Sequence, residues 1–246
     1  MTHAIVIGGT RGLGREVVRH LSEAGHIVSV IGRRPPPDSD REIANSQFFA
    51  ANMDDGEQFA NLLANIVETR GKLNYLVFCQ RYRDKGDNWS GELAVTLTAT
   101  KQVMEVLQDK FELEGDKGVV MVSSVFGHFV DKGQPVGYHV GKAGLDQMVR
   151  YYAVHLGRKG IRVNGVTPST FLKEESRDFY LNNTALHDLY KTMIPLGRMG
   201  TTADSAKAIR FLCSSEASFI NGQNLYVDGG LSLVWPETLA RQISAF

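Results

Sequence analysis

The sequence lacks the features that mark secreted, membrane-spanning and nucleic-acid-binding proteins. It has only two cysteines, Cys79 and Cys213, in 246 residues, which argues against a disulfide framework and suits free thiols in a reducing compartment. No apolar run approaches the ~20 residues of a membrane span, and no signal-peptide pattern precedes the first apolar run. Lysine plus arginine equal aspartate plus glutamate at 27 each, so no excess charge attracts nucleic acid or a membrane surface. We expect a cytoplasmic protein with neither of those partners.

Short apolar runs alternate with amphipathic segments along the chain, which is the pattern of a parallel sheet with crossover helices. Strands are predicted at 4–7, 27–31, 48–51, 73–79, 119–122, 161–166 and 224–227. Helices are predicted at 13–24, 57–69, 92–110, 137–159 and 202–214. These elements leave no room for a second domain. We therefore predict one α/β domain over residues 1–246, a doubly wound, Rossmann-type parallel sheet of seven strands with helices on both faces.

The segment 169–199 interrupts this alternation. It is polar, contains several tyrosines and phenylalanines, and follows the C-terminal end of the sixth predicted strand. Open α/β sheets bind ligands at that edge, so we predict that the segment is a lid over a small-molecule substrate. The alternative is an ordinary pair of surface helices. The aromatic residues and both signs of charge in the segment leave the polarity of the substrate open.

A glycine-rich turn joins the first predicted strand to the first predicted helix. Glycines let the backbone approach a pyrophosphate, and a helix N-terminus offers free N–H groups and positive dipole. The spacing is Gly-x-x-x-Gly-x-Gly, which differs from the Gly-x-Gly-x-x-Gly of other dinucleotide folds. Between a strand and a helix, it predicts dinucleotide binding by seven consecutive residues: Gly8, Gly9, Thr10, Arg11, Gly12, Leu13 and Gly14.

The second predicted strand ends without the carboxylate that NAD sites use to bind the 2′-hydroxyl of the adenosine ribose. Arg33 and Arg34 stand there instead, and Arg11 lies in the glycine turn nearby. Guanidinium groups can bind a 2′-phosphate bidentately, so we predict NADP(H) in preference to NAD(H). The alternative is that these arginines are solvated loop charges.

Tyr138 and Lys142 are four residues apart in a predicted helix, so their side chains lie on one face, a turn apart. A phenol with its usual pKa near ~10 is a poor acid or base at neutral pH. A neighbouring cation stabilises the phenolate and lowers that pKa, which makes the pair a candidate for proton transfer. Because this spacing also occurs by chance, the alternative is a surface pair.

Five motifs in order along the chain resemble those of the short-chain dehydrogenase/reductase family. They are the glycine turn at 8–14, Ser123-Ser124-Val125-Phe126-Gly127, Tyr138-His139-Val140-Gly141-Lys142, Ile161-Arg162-Val163-Asn164 and Pro195-Leu196-Gly197-Arg198-Met199-Gly200. Each motif is modest alone, and together they cover nearly the whole chain. The resemblance implies hydride transfer between a nicotinamide and a substrate carbon.

In that family the tyrosine is the general acid/base, the lysine lowers its pKa and binds the nicotinamide ribose, and the serine hydrogen-bonds the substrate oxygen. The resemblance gives these roles to Tyr138, Lys142 and Ser124, the second serine of its pair. A structural serine at a strand end is the alternative for Ser124. We expect further cofactor contacts at the strand ends, from Asn52, Met53, Cys79 and Phe171.

The sequence also departs from the family pattern. Phe78-Cys79-Gln80-Arg81 replaces Asn-Asn-Ala-Gly after the fourth strand, and Thr96 replaces the asparagine that holds a water for proton relay. A threonine hydroxyl can bond its own helix backbone, so the relay is altered or absent. Pro168-Ser169 stands for Pro-Gly, Lys173 for a threonine, and Asn52 for an aspartate that contacts adenine.

These residues favour an NADP(H)-dependent oxidoreductase that interconverts a carbonyl and an alcohol, with Tyr138 as general acid/base. Two alternatives stay open: a nucleotide-binding regulatory or scaffold subunit with little turnover, and a dehydratase or isomerase that uses the same pair. The histidines share no ligand spacing, so no metal site is predicted.

The resemblance also implies a homo-oligomer, a dimer or tetramer. The long helices carry more apolar residues than one sheet face needs: Val103, Met104, Leu107, Met148, Val149, Tyr151 and Tyr152. The alternative for these residues is packing in the core of the single chain.

Overall fold

The computed structural model describes residues 2–37, 43–53, 55–83, 87–173 and 177–244. Seven strands form one sheet in which every pair is parallel, in the order β3-β2-β1-β4-β5-β6-β9. These strands are β1 His3–Ile7, β2 Ile27–Gly32, β3 Ser46–Ala50, β4 Tyr75–Phe78, β5 Lys117–Val122, β6 Ile161–Pro168 and β9 Asn224–Val227. The short β7 Phe171–Leu172 and β8 Gly200–Thr201 pair separately. The predicted fold class, a seven-stranded doubly wound sheet, is confirmed.

Helices cover both faces of the sheet. They are α1 Gly12–Glu23, α2 Gly56–Arg70, α3 Asn88–Leu93, α4 Ala99–Leu107, α5 Val136–Leu156, α6 Arg177–Asn182, α7 Thr184–Met193, α8 Thr202–Leu212 and α9 Pro236–Ser244. None of the helices in the described ranges is long and apolar enough to span a bilayer.

Alternate residues of each strand point to opposite faces, and here both faces are buried. In β1, Ile5 and Ile7 belong to a core shared with α2, α4 and α5. Ala4 and Val6 belong to a second core shared with α1 and α8. This burial on both sides explains why the strands read as unbroken apolar runs.

The order of the strands reverses direction between β1 and β4, so their carboxyl ends frame a crevice. Gly8 follows β1 at this edge, and its amide donates to the carbonyl of Ile31 at 2.8 Å. Cys79 follows β4, and its amide donates to the carbonyl of Ile7 at 2.8 Å. The crossovers thus bring the glycine turn and the altered turn after β4 to one place.

The prediction of one regular helix from Glu92 to Lys110 is wrong. The helix starts at Asn88, where the side chain of Asp87 accepts hydrogen bonds from the amides of Trp89 and Ser90. A π-helical turn, Ala94–Thr98, then separates α3 from α4, which ends at Leu107. A π turn keeps the apolar spacing nearly helical, so periodicity alone does not reveal it.

The predicted lid, 169–199, contains β7, α6 and α7, while residues 174–176 within it lie outside the described ranges. Helix α7 packs against α9, a C-terminal helix that the strand pattern did not predict. The lid role stays a prediction.

Most of the apolar residues that suggested an oligomer surface lie in the core of the single chain. Val103, Met104, Leu107, Val149 and Tyr152 are all buried there. Their excess arises because α4 packs against α2, and α5 packs against α3, as well as against the sheet. That excess therefore supplies no argument for an oligomer, which stays a prediction from the family.

Candidate active site

A cavity of about 920 Å³ runs along the carboxyl ends of the central strands. This volume is within the range of small-molecule and cofactor sites, about 300–1,000 Å³. The last or next residue of five strands lines it: Ile7, Gly32, Cys79, Val122 and Pro168. The glycine turn lies at one end, and residues of the predicted lid lie at the other.

The glycine turn is packed too closely for any side chain at two of its positions. A Cβ added to Gly14 would collide with the carbonyl oxygen of Gly8. Gly8 has φ +77°, and a Cβ there would come within 2.7 Å of the amide nitrogen of Gln80. The N-cap of α1, Arg11, makes no capping hydrogen bond with its side chain. The first-turn N–H groups can therefore serve a ligand, and the turn fits the pyrophosphate of a dinucleotide.

Most of the residues predicted to bind the cofactor line this cavity: Gly8, Thr10, Arg11, Gly12, Leu13, Gly14, Arg33, Arg34, Met53, Cys79 and Phe171. Gly9 and Asn52 are outside the lining. A Cβ on Gly9 would meet the side chains of Val6, Val18 and Val30 at 3.0 Å, so this glycine allows α1 to approach the sheet. Asn52 is exposed beside Met53.

The adenosine end of the cavity is basic. Arg33 and Arg34 follow β2, are exposed, and line the cavity together with Arg11. Among the described lining residues there is no aspartate or glutamate. Within the described lining, the position where a carboxylate would bind a 2′-hydroxyl thus has guanidinium groups nearby and no carboxylate.

The three predicted catalytic residues, Ser124, Tyr138 and Lys142, are buried and line the same cavity. Tyr138 is 8% exposed and Lys142 only 4% exposed. Lys142 Nζ lies 5.8 Å from the centre of the Tyr138 ring and donates to the carbonyl of Val122 at 2.8 Å. Ser124 Oγ accepts from the amide of Phe126 at 3.2 Å, which leaves its hydroxyl hydrogen for another acceptor.

Burial lowers the pKa of Lys142 to about 8. The carboxylate of Glu92 acts in the opposite direction and raises that pKa. Glu92 itself is buried at the end of α3, which raises its own pKa. Thr96, in the π turn, donates its hydroxyl hydrogen to Glu92 Oε2 at 3.5 Å. Sequence reasoning noted Thr96 but missed Glu92, because only the fold brings α3 to the lysine.

Sequence reasoning also missed the direction taken by the side chain of Arg81. Its guanidinium lies over the ring of Tyr138, 4.9 Å from the ring centre. Gln80, its neighbour, donates to Thr100 Oγ1 at 2.8 Å. The large side chains in the turn after β4 were the available sequence signal. They indicated that this wall of the cavity differs from the family pattern, but not which way the side chains point.

No cluster of three or more histidine, cysteine, aspartate or glutamate side chains suited to a metal ion occurs in the described part of the chain. Burial raises the pKa of Cys79 to about 12, so its thiol stays protonated. The described lining of the cavity offers phenol, amine, hydroxyl and guanidinium groups.

Comparison with known proteins supports the family resemblance found in the sequence. The family model described as enoyl-(acyl carrier protein) reductase matches residues 8–232. Glucose 1-dehydrogenase of Gluconobacter oxydans is 27% identical over 93% of this chain and 91% of its own length. The 3-oxoacyl-(acyl-carrier-protein) reductase FabG of Staphylococcus aureus is 27% identical over 93% of this chain and 97% of its own length.

Solved structures share the fold. A short-chain type dehydrogenase/reductase from Mycobacterium ulcerans superposes with a TM-score of 0.82 at 23% identity, over 94% of this chain and 90% of that chain. Aldohexose dehydrogenase of Thermoplasma acidophilum gives a TM-score of 0.83 at 23% identity, over 96% and 95%. The chain belongs to the short-chain dehydrogenase/reductase family. Members of this family are oxidoreductases that bind a nicotinamide cofactor.

Proposed function

We propose that this protein is an NADP(H)-dependent oxidoreductase that interconverts a carbonyl compound and its alcohol. The observation that carries the proposal is the burial of Ser124, Tyr138 and Lys142 along the same cavity as the glycine turn. Drift away from catalysis would not be expected to keep all three side chains together at a ligand site. The cofactor, when bound, supplies or accepts the hydride.

In the direction of reduction, the phenol of Tyr138 gives its proton to the oxygen that becomes the alcohol. Ser124 donates its hydroxyl hydrogen to the same oxygen and stabilises the developing negative charge. The ammonium of Lys142, beside the ring of Tyr138, favours the phenolate that proton donation leaves behind. In the direction of oxidation, Tyr138 accepts the proton from the alcohol.

The preference for NADP(H) is supported by the basic adenosine end of the cavity. Arg11, Arg33 and Arg34 line it, and no described lining residue is acidic. A 2′-phosphate would gain charge-assisted hydrogen bonds there, whereas a 2′-hydroxyl would lack its usual carboxylate acceptor. Thr170, Phe171 and Tyr180 line the far end of the cavity, which supports the proposal that segment 169–199 acts as a lid.

Two measurements test this function. NADPH fluorescence reports binding, and absorbance reports turnover on a panel of aldehydes and ketones. Tyr138→Phe should keep NADPH binding and lose most turnover, about 10²–10⁴-fold, which is the usual contribution of a positioned acid. Turnover that survives in Tyr138→Phe would contradict the proposed role. For the cofactor, Arg33→Ala should weaken NADPH binding far more than NADH binding, and equal weakening would refute the 2′-phosphate argument.

A nucleotide-binding scaffold is the second candidate, and Thr96 is the observation that favours it. Its hydroxyl donates to Glu92 Oε2 at 3.5 Å, so that hydrogen is not offered to a proton relay. NADPH binding without turnover on any substrate of the panel, unchanged by Tyr138→Phe, would favour this candidate.

A further inference from the structure

Arg81 introduces a positive charge next to the proposed acid/base. Its guanidinium lies over the ring of Tyr138 at 4.9 Å from the ring centre, a cation–π geometry that fixes its position. One N–H donates to Gln134 Oε1 at 3.3 Å, and a guanidinium has five N–H donors. Arg81 is exposed and lines the cavity. Its remaining donors can therefore meet a ligand in front of Tyr138.

A second cation lines the same cavity. Lys173 Nζ lies over the ring of Phe171 at 5.2 Å from the ring centre, just beyond the end of β7. Both residues line the cavity, as does Arg83, two residues after Arg81. The turn after β4 and the end of β7 thus each present a cation over an aromatic face.

The charges along the cavity are strongly one-sided. Seven of its described lining residues carry lysine or arginine and none carries aspartate or glutamate: Arg11, Arg33, Arg34, Arg81, Arg83, Lys142 and Lys173. Those at the glycine turn and β2 are assigned above to the cofactor. Among the remaining cations, Lys142 is assigned to the nicotinamide ribose, and Arg81 has no assigned role in cofactor binding.

Glu92 interacts electrostatically with Arg81 and lies outside the described lining of the cavity. It is buried and bonded to Thr96. Glu92 therefore offsets part of the charge of Arg81 without occupying the space in front of it. The described residues that line this space carry positive charge and aromatic rings, which suits a planar anion.

From this arrangement we infer that the substrate is a carbonyl compound that carries a carboxylate, and that Arg81, assisted by Lys173, binds that carboxylate. Arg81 is the residue that determines this specificity. The inference rests on the proposed oxidoreductase function, because it uses Tyr138 to locate the reacting carbonyl. The short distance from Arg81 to the ring of Tyr138 requires the carboxylate to lie within a few bonds of that carbonyl.

The test compares 4-carboxybenzaldehyde with its uncharged methyl ester, methyl 4-formylbenzoate, with NADPH in excess. The wild type should prefer the acid in kcat/KM by about ten- to hundredfold, the effect of one hydrogen bond to a charged group. Arg81→Gln should bring that ratio close to one, and Arg81→Lys should retain part of it. Lys173→Gln should lower the ratio less than Arg81→Gln. Arg158→Gln, at an exposed site after α5, is the matched control and should keep the ratio.

A binding measurement separates failure of this inference from failure of the proposed function. Calorimetry should detect benzoate binding to the wild type, weaker binding of benzamide, and loss of benzoate binding in Arg81→Gln. If no compound of the carbonyl panel turns over, these two included, the oxidoreductase proposal fails, and the benzoate result alone decides whether the anion site exists. The inference is overturned if benzoate does not bind. It is also overturned if both aldehydes turn over with a ratio that Arg81→Gln leaves unchanged, or if Arg81→Gln weakens only NADPH binding.

Discussion

Lys142→Met should stabilise the cofactor-free protein, although it removes a residue that the proposed chemistry requires. Burial lowers the pKa of Lys142 from the usual 10.5 to about 8, so holding its ammonium in the fold costs free energy. The charged groups around it have opposing effects: Glu92, Cys79 and Asp146 raise the pKa, and Arg81 lowers it. Burial outweighs them, because the resulting pKa stays below the usual value.

The sign of the pH dependence follows from this shift. Because the pKa in the folded state lies below that in the unfolded state, the unfolded state binds more protons between about pH 8 and 10.5. The wild type therefore gains stability as pH rises through that window. The full shift corresponds to about 3 kcal/mol at about 1.4 kcal/mol per pKa unit. About 2 kcal/mol of this should be recovered between pH 7 and pH 9.5.

The substitution also removes the hydrogen bond from Lys142 Nζ to the carbonyl of Val122. This loss offsets about 1–3 kcal/mol of the stability gained by removing the buried charge. We expect Lys142→Met to be more stable than the wild type by about 1 kcal/mol at pH 7 and less stable than it at pH 9.5.

Urea unfolding at both pH values measures the difference in the free energy of unfolding, and Lys101→Met, at an exposed position of α4, controls for the exchange of lysine for methionine. If the difference in the free energy of unfolding between the wild type and Lys142→Met stays constant from pH 7 to pH 9.5, burial does not lower the pKa of Lys142.

Two further substitutions test the cavity. Gly14→Ala should lower the free energy of unfolding by about 1–3 kcal/mol through overpacking against the carbonyl of Gly8, and should abolish NADPH binding in a fluorescence titration. Gly56→Ala, where an added Cβ meets nothing within 4 Å, is its control. Unchanged NADPH binding in Gly14→Ala would refute the proposal that the glycine turn binds the pyrophosphate. Glu92→Gln removes the carboxylate that raises the pKa of Lys142, so the pH above which NADPH binding weakens should move below about 8. If the midpoint pH for the loss of NADPH binding stays the same or rises in Glu92→Gln, the proposed effect of Glu92 on Lys142 is wrong.

The sequence predicted the sheet well because its central strands are nearly or fully buried on both faces, while the edge strands β3 and β9 are partly exposed. Such strands leave a short apolar run that ends at a turn, as Ala4–Ile7 does before Gly8. The glycine turn was also predictable from a local pattern, because the spacing of its glycines indicates where two backbone segments approach each other closely. Gly9 shows the limit of that reasoning: it has the same residue type, but it serves helix packing rather than the cavity.

The contacts that the sequence could not predict all join residues distant in the chain. Arg81 lies over Tyr138, 57 positions later, because the turn after β4 and the start of α5 meet at one edge of the sheet. Glu92 affects Lys142 because α3 packs against α5. Neither pair has a local spacing to recognise. The apolar residues of α4 and α5 misled for the converse reason, because composition does not distinguish a core from an interface.

The departures from the family pattern at Gln80 and Thr96 are one structural change rather than two. The π turn Ala94–Thr98 disturbs the usual helical bonding, and Gln80 Nε2 donates to the carbonyl of Val95 at 3.5 Å and to Thr100 Oγ1 at 2.8 Å. Thr100 donates in turn to the carbonyl of Thr96 at 2.8 Å. A long amide after β4 is thus a hydrogen-bond partner of this helix. The next residue, Arg81, lies over the ring of Tyr138, so one set of contacts joins the altered helix to the proposed substrate end of the cavity.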